Sequence, residues 1–122
     1  MATPLHQVKA EFFKTLGHPQ RIRVLEVLSD GEHSVGEMLR AIEIEASNLS
    51  QQLAVLRRAG LVTTRKEGST VYYSLVSSQI ADLMGVARSI LTSVLSEQTQ
   101  LLTTLRSDAR SARRDTVRRG GS

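Results

Sequence analysis

A chain of 122 residues, 40% hydrophobic but only 3% aromatic and without Trp or Cys, can build about one compact domain around an aliphatic core. It excludes disulfides and thiolate metal sites. The formal charge of +4 sits mostly at the end, where Arg110, Arg113, Arg114, Arg118 and Arg119 face only Asp108 and Asp115.

In chain order, Leu5, Val8, Phe12, Phe13 and Leu16 fall at helical spacing and predict a first helix over Leu5–Leu16. Gly17-His18-Pro19 breaks it, Gly suiting a C-terminal cap and Pro the first turn of a second helix over Pro19–Leu28, with Ile22, Leu25 and Leu28 inward. Ser29-Asp30-Gly31 is a turn signal. Ser34 and Glu37 fit a capping box that opens a short third helix over Val35–Ile42, with Val35, Met38, Leu39 and Ile42 inward. Ala46–Ala59 carries Leu49, Leu53 and Leu56 on one stripe, Ser47, Asn48, Ser50, Gln51 and Arg58 on the other, and stops at Gly60. Two short helices joined by a few residues, the second displaying small polar side chains, predict a helix-turn-helix.

Leu61–Arg65 and Val71–Leu75 are strand-like, and the polar Lys66-Glu67-Gly68-Ser69-Thr70 between them makes the pair a hairpin, or wing. Charge is polarised along this region. Six acids and only Arg40 lie between Glu26 and Glu45, whereas Arg57, Arg58, Arg65 and Lys66 oppose only Glu67 from Ala46 to Gly68, the pattern of a surface built for an oriented anionic partner. Arg21 and Arg23 are expected to pair with the acids of the second and third helices.

From about Gln79 to Arg106 runs one amphipathic helix whose stripe includes Ile80, Leu83, Met84, Ala87, Leu91, Val94, Leu95, Leu101, Leu102 and Leu105. Such a helix spans roughly 42 Å, longer than a small domain's core is wide, so part of the stripe must face another body, most simply a second copy of the chain. Apolar periodicity stops at Arg106, and residues 107–122 are expected to form a disordered Arg-rich tail beyond a domain spanning 1–106. No apolar run approaches the roughly 20 residues of a membrane span. No charged-then-apolar leader opens the chain, so a cytoplasmic protein is expected.

Three motifs in order, Leu16-Gly17-His18-Pro19-Gln20-Arg21-Ile22-Arg23-Val24-Leu25, Leu49-Ser50-Gln51-Gln52-Leu53-Ala54-Val55-Leu56-Arg57-Arg58-Ala59-Gly60-Leu61-Val62 and Lys66-Glu67-Gly68-Ser69-Thr70-Val71-Tyr72-Tyr73-Ser74-Leu75, closely resemble the ArsR/SmtB family of bacterial winged-helix regulators. The resemblance covers roughly Leu5 to Leu105. It implies a mainly α winged helix-turn-helix with a two-stranded β-wing, a homodimer through the first and last helices, and repression from a palindromic promoter operator. It assigns DNA contact to Ser47, Asn48, Ser50, Gln51 and Gln52. Arg57, Arg65, Lys66 and Thr70 are the accompanying backbone contacts, and Leu5, Val8, Phe12, Leu83, Ala87, Leu91, Val94 and Leu95 belong to the dimer interface. Many members have His where Gln52 stands. The residue that usually caps the recognition helix falls on Glu45, a poor cap, leaving Ser47 as an alternative one turn later.

Signal-sensing is less legible. The family's cysteine site in the third helix has no counterpart in Val35-Gly36-Glu37-Met38-Leu39. Its last-helix site is also broken, because Met84 follows Asp82 where His is usual and neither Leu95 nor Gln98 restores the downstream pair. His18 is expected to be structural. His6 and His33, with carboxylates, are alternative ligands for a divalent nickel, cobalt or zinc ion. A further alternative is a winged-helix adaptor for a protein partner. No phosphate loop and no nucleophile with a local base occurs, so the chain does not read as an enzyme.

Overall fold

A computed structural model describes residues 2–120, with side chains through Arg110. Two compact units divide the chain, Met1–Gly85 and Val86–Ser122. The first unit contains helices α1 (Leu5–Leu16), α2 (Pro19–Leu28), α3 (Val35–Ala41) and α4 (Ala46–Arg58), strands β1 (His33–Ser34), β2 (Val62–Glu67) and β3 (Thr70–Leu75), and the start of α5 (Ser78–Gly120).

Local chemistry sets the boundaries. His18 takes extended backbone angles, and its Nδ1 accepts the Gln20 N–H at 3.3 Å, capping α2 just ahead of Pro19. The predicted capping box forms: the Glu37 N–H donates to Ser34 Oγ at 3.2 Å, and the Ser34 N–H donates to Glu37 Oε1 at 3.1 Å. The Ser34 backbone N–H first, and the Ser34 hydroxyl after it, hold the Glu37 carboxyl below the usual glutamate range.

Helix α4 ends in a paired-bond C-terminal motif, with Leu61 N–H bonded to Leu56 O and Gly60 N–H to Arg57 O, each at 3.0 Å. Gly60 supplies the left-handed residue this requires, at φ +75°. The chain then turns at once into the β2–β3 hairpin. Its two-residue turn has Gly68 at φ +61° and no positive φ at Ser69, the pattern that matches the twist of the flanking strands.

The sheet has three strands rather than the two expected, in the antiparallel order β1-β3-β2. His33 pairs with Tyr73 and Ser34 with Tyr72, so two residues ahead of α3 tether the helix-turn-helix to the wing. A two-residue strand carries no alternation for a sequence pattern to detect.

The core is aliphatic: Val24, Leu25, Met38, Leu49 and Leu56 are fully buried, joined by Leu16, Leu28, Ile42, Leu53, Leu61, Val62 and Ile80. Ile22 is exposed, against expectation; Val24 takes the inward place, because the buried face of α2 follows Val24, Leu25 and Leu28. Burying a side chain of this size is worth about 1.5–3 kcal/mol.

The second unit begins at Val86 and carries the continuation of α5 through Gly120. The helical backbone runs through Gly120, past the expected boundary at Arg106, because no Gly or Pro interrupts it between Gly85 and Gly120. Gly121 and Ser122 lie outside the described residues. Among the described residues no helix is long and apolar enough to cross a membrane.

Candidate nucleic-acid interface

Helix α4 is two-sided. Leu49, Leu53 and Leu56 anchor it, whereas Ser47, Ser50 and Gln51, at spacings of three and four, share an exposed face that continues to Ala54 and Arg58. The helix begins at Ala46 with Glu45 as an N-cap that makes no side-chain bond, so Ser47 lies inside the first turn and does not cap it. Of the five residues expected to contact DNA on this helix, three are thus exposed: Ser47, Ser50 and Gln51.

Asn48 and Gln52 are placed differently. Gln52 is 8% exposed and is the buried polar residue of the first unit. Its Oε1 accepts from Arg21 Nε at 2.8 Å, and its Nε2 donates to Asn48 Oδ1 at 2.9 Å. Asn48 Nδ2 in turn donates to Gln20 Oε1 at 2.6 Å, and Arg21 Nη1 reaches the Thr15 carbonyl at 3.2 Å. Arg21 thus satisfies a buried amide instead of pairing with an acid. Both ion pairs among the described residues belong to Arg65, so Arg23 has no such pair either.

Arg65, on β2, is held by three groups. It makes a two-pronged contact with Glu32, Nη2 to Oε1 at 2.7 Å and Nε to Oε2 at 3.2 Å, and a third bond from Nη1 to Glu67 Oε2 at 2.8 Å. Its guanidinium also lies 4.9 Å from the ring centre of Tyr72, its cross-strand partner. The hydrogen bonds from Arg65 lower the Glu32 pKa, and those to Glu32 and then Glu67 raise that of Arg65. Arg65, Glu32 and Glu67 are all exposed, so their ion pairs position the guanidinium more than they stabilise the fold. Lys66 and Thr70 are exposed beside the wing turn.

Between α4 and β3 lies an open hollow of about 330 Å³ lined by Ser50, Leu53, Ala54, Arg57, Arg58 and Tyr73. Arg57 and Arg58 bring two positive charges to its wall, with no carboxylate among the lining groups. Sequence reasoning missed Gln20, Glu32, Tyr72 and Tyr73 at this surface. Only the register of β3 against β1 and β2 brings the last three to it.

The metal candidates are not gathered. His6 is exposed on α1, and His33 bonds through Nδ1 to the Gly31 carbonyl at 2.8 Å. Among the described residues no group of three or more His, Asp or Glu side chains stands ready to hold an ion. The expected interface residues also divide: Phe12 and Leu83 pack on the core and Ala87 is half-buried. Leu5, Val8, Leu91, Val94 and Leu95 are 67, 51, 59, 42 and 59% exposed.

A polar helix face followed directly by a basic hairpin, on a helix-turn-helix frame, defines a winged helix-turn-helix DNA-binding regulator. A family model described as a helix-turn-helix domain matches residues 16–65. The chain is 53% identical over 104 residues to the uncharacterized HTH-type transcriptional regulator Rv0081 of Mycobacterium tuberculosis, covering 84% of this chain and 91% of that one. The crystal structure of Rv0081 superposes with a TM-score of 0.73 at 52% identity, over 80% of this chain and 99% of the other. The transcriptional activator HlyU of Vibrio cholerae is 48% identical over 67 residues (55% of this chain, 62% of HlyU), and the transcriptional repressor SmtB homolog of Synechocystis is 38% identical over 77 (63% and 58%). The chain belongs to the ArsR/SmtB family of winged helix-turn-helix transcriptional regulators, and it is not an enzyme.

Proposed function

We propose that this regulator binds a palindromic promoter operator as a homodimer and represses transcription from it. The observation that carries the reading is the exposed Ser47–Ser50–Gln51 face of α4, joined through the Gly60 turn to a wing bearing Arg65 and Lys66. Ser and Gln side chains can hydrogen-bond base edges in the major groove, Gln pairing with adenine through both ends of its amide. Arg57, Arg65, Lys66 and Thr70 contact the backbone, which supplies affinity rather than sequence choice.

Dimerisation is supported by the large apolar side chains that α1 and α5 expose, more than a monomer of this size leaves in contact with water without a use. Two-fold symmetry then sets two copies of α4 about one duplex turn apart, roughly 34 Å, each in a half-site. The test is a binding titration with the DNA upstream of the protein's own gene against unrelated DNA of equal length. Specific binding that outlasts rising salt, with two chains per site, is expected. Weak binding indifferent to sequence and abolished by moderate salt would contradict it and favour an adaptor.

A further inference from the structure

The side chains Arg21, Gln52, Asn48 and Gln20 form one continuous hydrogen-bonded relay across α2 and α4, and its chemistry has a direction. A guanidinium can only donate. Arg21 Nε donating at 2.8 Å therefore selects the oxygen end of the Gln52 amide, which turns the Gln52 Nε2 toward Asn48. Asn48 must then accept with Oδ1, so its Nδ2 faces Gln20, and Gln20 must accept with Oε1. Three amides, each free in principle to sit either way round, are locked by one cation at the head of the chain. The end left over is the Gln20 Nε2, a donor. Among the described residues no buried side-chain nitrogen or oxygen lacks a partner, and this nitrogen bonds to no protein group, so it reaches the surface. It does so beside Asn48, in the N-terminal half of the helix that enters the groove.

We propose that Gln20 is a DNA-contacting residue whose amide donates to a backbone phosphate oxygen, and that Arg21 is the positioning residue that fixes its polarity through Gln52 and Asn48. The proposal rests on the DNA-binding reading above. A phosphate is the acceptor that fits, because a phosphate oxygen only accepts and Gln20 stands on α2, outside the helix that carries the exposed reading face. The relay also fixes which way round the Asn48 and Gln52 amides sit, committing one donor of each within the protein, and burial keeps Gln52 from base edges.

Two measurements test the proposal, one without DNA. In the free protein, side-chain amide hydrogen exchange by NMR should find the Asn48 Nδ2 and Gln52 Nε2 protons protected and the Gln20 Nε2 protons exchanging freely. Arg21→Met frees the relay to run either way, so the Gln20 Nε2 protons should gain protection as that amide turns to donate to Asn48, although residue 21 does not touch Gln20's amide partner. Protection at Gln20 in the wild-type protein, or Gln20 protons that exchange as freely in a folded Arg21→Met, would overturn the relay whatever the DNA does.

In the second measurement, Gln20→Glu keeps an acceptor for Asn48 but replaces the presented donor with a carboxylate. Operator and unrelated DNA should both bind about ten-fold more weakly, with the melting temperature unchanged. Wild-type affinity in Gln20→Glu would overturn the phosphate contact, and so would a changed base preference, which would make Gln20 a reader. Failure of the wild-type protein to bind DNA would refute the DNA-binding reading and the contact with it, while the exchange experiment would still decide the relay.

Discussion

Polar residues on the recognition helix divide by what they already bond. Ser47, Ser50 and Gln51 are exposed, while Asn48 and Gln52 are occupied inside the relay. Gln51→Ala should therefore relax discrimination between operator and mismatched sites by about 1–3 kcal/mol, read from competition titrations, with little effect on unrelated DNA. Arg65→Ala should weaken all DNA alike and reduce the slope of affinity against salt by about one. An altered site preference with an unaltered slope would contradict the phosphate role of Arg65. The exposed face was legible in the sequence because period and polarity place it. The burial of Gln52 was not: its partner Arg21 lies 31 positions away, and nothing in a glutamine marks it as a core residue. Arg21 misled for a related reason, since nearby acids imply an ion pair and only packing reveals an amide.

At the scale of elements, two caps position the interface. Gly60 turns the chain from α4 into the wing at a positive φ, and no atom lies within 4 Å of where a Cβ would stand. Gly60→Ala should thus cost about 1–2 kcal/mol of stability through backbone strain alone, measured by urea unfolding. The capping box of α3 carries a pH signature. The Glu37 carboxyl is held below its unfolded value, so it adds stability above the ordinary glutamate range and loses it as the pH falls through the folded value. Glu37→Gln should flatten that part of the acid dependence, Glu32 contributing the remainder with the same sign. The bounds of α1 and α2 follow from Gly17-His18-Pro19, and the turn at Gly68 from its glycine, so punctuation made these elements readable. Strand β1 was too short to leave a pattern. The end of α5 was misplaced because loss of apolar periodicity signals loss of packing, not loss of helix.

At the scale of the molecule, the account depends on two copies acting together. Leu91→Glu with Leu95→Glu puts charges on the exposed apolar face of α5 and should yield a folded monomer by light scattering. Operator affinity should fall about a hundred-fold or more, as two linked half-site contacts become one. A dimer that persists in this variant would place the interface elsewhere. The length of the apolar stripe is what makes the sequence point to a second copy, whereas the residues that would meet across such an interface are not encoded in any one chain's periodicity. The measurement closest to the central claim is a hydroxyl-radical footprint on the DNA upstream of the protein's own gene, with binding stoichiometry taken on the same fragment. Two protected half-sites about one duplex turn apart, related by a two-fold axis and holding two chains, are predicted. A single unpaired half-site bound by one chain, or uniform protection that vanishes with moderate salt, would contradict the account.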